Sequence, residues 1–510
     1  MRSTITLLVL GLAVGLRLAE LTHFPGLGGD EAWIAYQVRS WLHGGAHTWI
    51  TPSQRWLSPL FILSSVPFQA LLSPSTLAVR LPAVMSNLLL LPLSYWLAKE
   101  VRGKAAGFAL VVLLATLPIS IAYSRIGWEA CHFLLITLLP LYFAFRGKPA
   151  AWVLSLLLAV SVHALAVFVI PLCLGPLWFA RPERRVRPGH LAAAIAGLAV
   201  VTGLALLTFS GSLHTYYDLL AGVAGERHYG LTEIKAFVVG FAQLLSGTSG
   251  YREFIGEPSG RWFSVLDGFA GLVGLTAILA AIGWWWRQRA WAELSCAVGL
   301  GISLVIFFLI AGPAALVPGS ERYALIFVAP VAWLGAIFLG RVMSEVYAER
   351  IALTLGVAGL SSFLVFYFGV IPADRPPVHP VYAVADTDPK EAALGIILAD
   401  ATQSASAPGP IVTEDWWLMW AMRYLAFNAG PISIQEMAHA GPVGMMMEQG
   451  AYFVGYPRGS LRRHLVAASQ GQNWKLASRD LASAGGSPVL EVWRAMRSGD
   501  MPPPSNTQHR

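Results

Sequence analysis

The feature that most restricts this chain is the recurrence of long apolar runs. They fall near 4–22, 57–72, 76–98, 105–122, 130–145, 149–162, 164–180, 190–209, 264–286, 292–312, 322–340 and 350–371. A helix needs about 20 apolar residues to cross a bilayer, and within lipid only helices and closed barrels satisfy every backbone polar group. Runs of this length therefore demand a bundle of membrane-spanning helices. Composition excludes a soluble body: 56% of the 510 residues are hydrophobic and 12% charged, against roughly 25% charged in soluble domains. The net charge of +7 implies no nucleic-acid partner, because basic residues orient membrane proteins and must be read loop by loop. Cys131, Cys173 and Cys296 all lie in apolar stretches, fit no metal or disulfide spacing, and read as packing residues. The opening "MRSTITLLVLGLAVGLRL" starts like a signal peptide, but no A-x-A site follows, so it reads as a retained first helix.

The run 57–72 is short and carries Pro59, Pro67 and Gln69. If it lies on the surface, Arg2, "KEVRGK" (99–104), "RGK" (146–148), "RPERRVR" (181–187), "RQR" (287–289) and the ends of "RVMSEVYAER" (341–350) share one side. If it spans, Arg2 is separated from all of them. The positive-inside rule selects the first arrangement, with about eleven spans, a cytoplasmic N-terminus and an outer C-terminus. Loops 23–75 and 210–263 then face outward, with the turns 123–132 and 312–323 and His163 at the same membrane face. The transmembrane part is expected over 1–372, behind a Pro-rich linker starting at 373. Short helices and strands over 373–498 predict a periplasmic α/β domain, and 499–510 reads as a disordered tail.

Three groups of residues could carry chemistry. Asp30 and Glu31, in "GLGGDEAWIAY", follow the first span and open a helix expected to lie along the membrane. A carboxylate there can act as general base, ligate a cation or cap the helix; the residues alone leave these roles open, and the two acids can divide them. Arg125, Glu129 and His132 sit in the turn "YSRIGWEACH". Arg125 and Glu129 form either an i, i+4 ion pair or a phosphate-and-metal pair. In "SERYALIFVAP", Arg322 and Tyr323 serve either as an interfacial anchor or as a phosphate clamp. Arg80 lies four residues into its run, snorkelling or facing a polar cavity. His163 is a candidate ligand or hydroxyl-binding group. The aromatic cluster "EDWWLMW" (414–420) reads as core of the tail domain.

"GGDEAW", "SPLFILSSVPFQALLSPSTLAVRLPAVMSNLL", "PISIAYSRIGWEA" and "ERYALIFVAPVAWLGAI", in that order, resemble the GT-C superfamily of polytopic glycosyltransferases. The likeness is to its bacterial protein-mannosyltransferase-like and aminoarabinose-transferase-like group. It covers residues 1–180 and, less fully, 312–340. The resemblance implies a GT-C-like helical membrane protein of the bacterial inner membrane. It further implies a polyprenyl-phosphate-linked sugar donor, a lipid, glycan or protein acceptor, and inverting transfer on the periplasmic face. Asp30 matches the family's catalytic aspartate, with Glu31 beside it. Glu129 stands where many relatives have Asp, and Arg322 and Tyr323 match a pair near the donor phosphate, where Arg125 and Arg80 are further candidates. A divalent cation, Mg or Mn, held by Asp30 and Glu129 is the candidate cofactor, and a monomer is expected. Two other readings compete: a lipid-linked-sugar flippase without transfer chemistry, and a transferase of phospho-groups.

Overall fold

The computed structural model describes residues 2–52, 57–179, 230–249, 261–312, 316, 320–370, 388–403, 409–430, 432–470, 474–482 and 488–497, with isolated positions in 189–199. The linker from 373, most of the run 190–209 and the 499–510 tail lie outside these residues.

The chain is a polytopic helical membrane protein carrying a small α/β module. Four described helical segments are long and apolar enough to cross a bilayer: Thr76–Arg102, Trp291–Ala311, Glu321–Val342 and Glu345–Phe368. Shorter apolar helices pack with them, and several are continued across a break. Lys104–Thr116 passes through Leu117 into Pro118–Tyr123, where Pro118 occupies a first helical position. The helices bury one continuous apolar core, from Ala13 and Leu16 through Leu110, Leu114 and Leu138 to Trp152, Leu172 and Trp333. Small residues allow the closest approaches, as is usual between helices in lipid. A Cβ on Gly299 would sit 2.2 Å from the Pro171 carbonyl oxygen.

The first four helices build the platform for the site. Helix α1 is Arg2–Leu18, α2 Gly29–Leu42, α3 Pro59–Leu71 and α4 Thr76–Arg102. Helix α3 starts where Ser58 Oγ accepts from Phe61 N (3.2 Å), with Pro59 at the first position. Its 13 residues rise about 20 Å, short of the ~30 Å hydrocarbon core. Helix α4 ends at Gly103, whose φ of +86° lies in the region that favours glycine.

The tail residues form a five-stranded mixed sheet in the order β2-β1-β3-β5-β4. The strands are β1 Ile411–Thr413, β2 Ile434–Glu436, β3 Tyr452–Gly455, β4 Trp474–Ala482 and β5 Pro488–Arg497. Strand β1 pairs in parallel with β2 and β3, while β5 runs antiparallel to β3 and β4. Alternation along β1 sends Ile411 to one face, with Ile397, Leu418 and Met422, and Val412 to the other, with Leu461 and Leu465. The helix Trp416–Leu425 begins where Asp415 Oδ1 accepts from Leu418 N at 2.8 Å. Burial pushes the Asp415 carboxyl up from its ordinary range.

Two expectations are corrected. Helix α2 does not keep one face open, as an amphipathic helix on a membrane surface would. It is sandwiched, because both of its faces carry apolar residues: Trp33, Ile34 and Val38 meet Leu57, Phe61 and Ile62, while Ala32 and Ala35 meet Val79, Ala421 and Tyr424. The interval 210–263 is not loop throughout. Leu231–Ser246 is a helix with Phe237, Gly240 and Leu244 buried on one side and Ile234 and Val238 exposed on the other, as a lipid-facing helix requires.

Candidate active site

Three apolar helices begin with a stretch of 3₁₀ helix before the regular helix: Glu129–His132, Ala164–Val169 and Glu321–Phe327. Such turns are tighter than α-helix and aim their side chains differently. Together with the start of α2 they ring a cavity of about 500 Å³. Asp30, Glu129, His163, Arg322 and Tyr323 all line it, with Trp33, Thr51, Pro52, Trp128, Trp416 and Trp417. Segments nearly 300 residues apart thus share one wall, as the Asp30–Arg322 separation of 292 positions shows.

The electrostatic centre is an ion pair. Arg322 Nη1 donates to Asp30 Oδ2 at 3.3 Å, and both side chains keep partial exposure, 23% and 32%. The guanidinium lies over the Trp128 ring at 4.5 Å and the Tyr323 ring at 5.1 Å, and Nη2 donates to Tyr323 Oη at 3.3 Å. Cation–π contacts on two rings hold the planar cation where it can address an incoming anion. Next to Arg322, buried Glu321 accepts from Tyr123 Oη at 2.6 Å, anchoring the turn from behind. Glu129 accepts from Ser58 N at 3.0 Å, tying the start of α3 to the cavity. His163 caps its own 3₁₀ turn by accepting from Leu165 N at 3.2 Å, with its ring 6.3 Å from that of Tyr323.

The two adjacent acids have separated roles. Glu31 is fully buried, and its carboxylate accepts from Gly28 N (2.9 Å), Arg80 Nη2 (2.7 Å), Arg80 Nε (3.3 Å) and Gly127 N (2.9 Å). It therefore performs the N-terminal capping of α2 and joins α2, α4 and the 124–128 turn. Asp30, one residue earlier, is turned to the cavity. Four candidates stand outside the cavity wall, contrary to expectation. Glu31 and Arg80 neutralise each other in the protein interior. Arg80 also donates to the carbonyls of Leu21 and Gly26, both at 3.0 Å. Arg125 is buried and donates to Leu16 O (2.6 Å) and Phe24 O (2.9 Å). These interactions consume guanidinium donors that a phosphate would need. His132 is buried against the Phe61 ring at 5.5 Å.

Among the described residues no group of three His, Cys, Asp or Glu side chains comes together as a metal site. The cavity wall offers the carboxylates of Asp30 and Glu129, and Asp30 already faces a guanidinium. This set does not fit a protein-built divalent-cation site.

The tail module roofs the cavity. The sequence reading of "EDWWLMW" as tail-domain core holds for Leu418 and Met419, with Trp416 and Trp420 packed against them, but it is incomplete: Trp416 and Trp417 also line the cavity and Trp420 meets Trp33 and Tyr36, with ring centroids 6.4 and 5.3 Å apart. Their place at the first turn of a capped helix, just beyond β1, was the available sequence signal. Docking adds Lys390 Nζ donating to Leu27 O at 2.6 Å, Tyr424 Oη donating to Gln69 Oε1 at 3.0 Å and a His23–Asp388 pair at 2.6 Å. The Asp388 hydrogen bond holds the His23 imidazole above its ordinary pKa.

These features define a class: a polytopic membrane protein whose α/β module closes a charged, aromatic cavity at one end of the bundle. No protein-family model and no curated protein matches the chain. Among solved structures it is similar to ArnT from Cupriavidus metallidurans bound to undecaprenyl phosphate, at TM-score 0.50 and 16% identity over 98% of this chain and 99% of that one. The apo state of the same protein aligns at TM-score 0.49 and 15% identity, over 96% and 97%. At such identity the likeness is one of fold, and it runs nearly end to end, in line with the aminoarabinose-transferase-like resemblance of the sequence.

Proposed function

We propose that this chain is an inner-membrane glycosyltransferase that moves a sugar from a polyprenyl-phosphate donor to an acceptor hydroxyl on the periplasmic face. The observation that carries this reading is the Asp30–Arg322 pair on the cavity wall, with Arg322 held on two aromatic rings. A donor of this kind keeps its lipid in the bilayer and presents phosphate and sugar at the interface, where this pair is proposed to lie. The fold shared with an ArnT structure that contains undecaprenyl phosphate supports the same donor class.

The proposed chemistry is a single displacement with inversion. The donor phosphate takes the Arg322 guanidinium, a group matched to phosphate oxygens, and so releases the Asp30 carboxylate. Asp30 accepts the proton of the acceptor hydroxyl as its oxygen bonds to the anomeric carbon. The bond from that carbon to the phosphate oxygen breaks, its electron pair leaves with the lipid phosphate, and Arg322 stabilises the charge that develops there. Glu129 and His163, which line the same wall, are assigned in this proposal to orient sugar hydroxyls. The test is incubation of purified protein with a radiolabelled prenyl-phosphate sugar. Release of prenyl phosphate with label on an acceptor is expected. Movement of intact donor across the bilayer without cleavage would replace this reading with a flippase.

A further inference from the structure

A second and larger cleft, about 770 Å³, lies on the tail module beside the cavity. Trp416 borders both. From Trp416 the cleft follows one face of its helix to Trp420, four residues on, with the two rings 6.2 Å apart. It continues past Tyr36 and Phe427, whose rings lie 5.5 Å from each other. The opposite rim is polar and comes from β2, with Gln435 and Glu436. An aromatic floor facing amide and carboxylate groups suits a ligand with apolar ring faces and many hydroxyls. It suits an anionic lipid headgroup poorly. Arg423, the one arginine or lysine among the cleft residues, spends Nε on the Ile434 carbonyl at 2.8 Å, its guanidinium lies over the Trp420 ring at 4.8 Å, and the imidazole of His439, also on the cleft wall, lies 3.4 Å from the Glu436 carboxylate.

A peptide extended along this cleft would add itself to β2, one of the two edges of the sheet. The carbonyls of Ser433 and Gln435 turn inward, accepting from Ile411 N and Thr413 Oγ1. The Ile434 carbonyl, which alternation turns toward the free edge, is the one Arg423 has taken. Strand addition is therefore blocked at the centre of this three-residue edge.

We propose that this cleft binds the saccharide portion of the acceptor. Its rings stack on Trp420 and Phe427, its hydroxyls hydrogen-bond to Gln435 and Glu436, and the reacting hydroxyl reaches past Trp416 towards Asp30. The inference rests on the transfer reading, but its test does not use transfer. Saturation-transfer NMR on the full chain in detergent would be run with maltotriose, with chitotriose and with trialanine as the peptide control. Saturation of sugar ring protons is expected for at least one trisaccharide. It should fall about five-fold or more in Trp420→Ala, the scale of a lost ring contact, and also in Glu436→Ala. The latter lies at the rim and away from the ring contacts to α2, so it separates lost binding from lost folding. Asp30→Asn, in the neighbouring cavity, should retain the signal even if it abolishes chemistry, so failure of the transfer reading is distinguishable. Absence of signal from both sugars, signal that survives Trp420→Ala and Glu436→Ala, or saturation of trialanine instead would overturn the proposal.

Discussion

Removal of the Glu31 carboxylate probes the architecture beneath the site. In Glu31→Ala, Arg80 keeps the Leu21 and Gly26 carbonyls but loses its counter-charge in a place with no exposure, and the Gly28 and Gly127 amides lose their acceptor. Breaking a buried pair from one side costs about 3–5 kcal/mol, and an orphaned buried amide about 1–3 kcal/mol. The terms overlap, so a loss of about 3–5 kcal/mol is expected for the variant. Arg80→Met should cost nearly as much, because it strands the carboxylate. The pair Glu31→Ala with Arg80→Met should be far less damaging than the sum, since no buried charge remains, although the two amides still go unpaired. Unfolding in mixed detergent micelles, followed by tryptophan fluorescence, gives the three values and their coupling. A single variant within about 1 kcal/mol of wild type, or strictly additive losses, would refute the structural role. So would a Glu31→Gln protein of unchanged stability that loses transfer by about 10²-fold or more, the signature of a general base.

Three further outcomes follow from the same geometry. Gly29→Ala places a Cβ 2.7 Å from the Trp417 Cα; overpacking of this kind costs about 1–3 kcal/mol, so the tail module should be cleaved faster by protease than in wild type. The His23–Asp388 contact favours charged imidazole, so its contribution to docking is complete below the free histidine value of about 6.5 and is lost as pH rises through the raised folded value. Module protection should therefore weaken with rising pH, and salt should blunt the effect because both side chains are more than half exposed, at 53% and 62%; a pH-independent cleavage rate would contradict it. Arg322→Ala should weaken binding of prenyl phosphate and lower transfer by about 10²–10³-fold, the scale of one lost charge-stabilising donor, whereas wild-type affinity in a lipid-phosphate binding assay would remove Arg322 from the donor site.

Four of the expected spans, near 76–98, 292–312, 322–340 and 350–371, were legible because lipid makes length and apolarity decisive, and the strands of the tail because short runs were set between turn residues. Asp30, Arg322 and Tyr323 were legible because polar residues stood where apolar runs meet water. The division of labour between Asp30 and Glu31 was not, since both fit a helix start equally; only the position of Arg80 on α4 decides which acid is buried. Arg125 likewise read as a partner of Glu129 or of a phosphate, yet its turn is folded inward and its cation is spent on the carbonyls of Leu16 and Phe24. The second face of α2 was hidden because Ala32, Ala35 and Tyr36 form too modest a stripe to announce a partner. That partner, the helix of Trp416 and Trp420, lies nearly 400 residues away, too far for local pattern to register.

The most direct measurement is single-turnover sugar transfer by Asp30→Asn from a prenyl-phosphate donor. Asn preserves the size of the side chain and its place beside Arg322, so the variant should insert, melt and bind donor as wild type does. The account predicts that transfer falls by about 10²–10⁴-fold, the usual contribution of a general base. Transfer at the wild-type rate would show that the carboxylate facing Arg322 takes no proton, and would end the assignment.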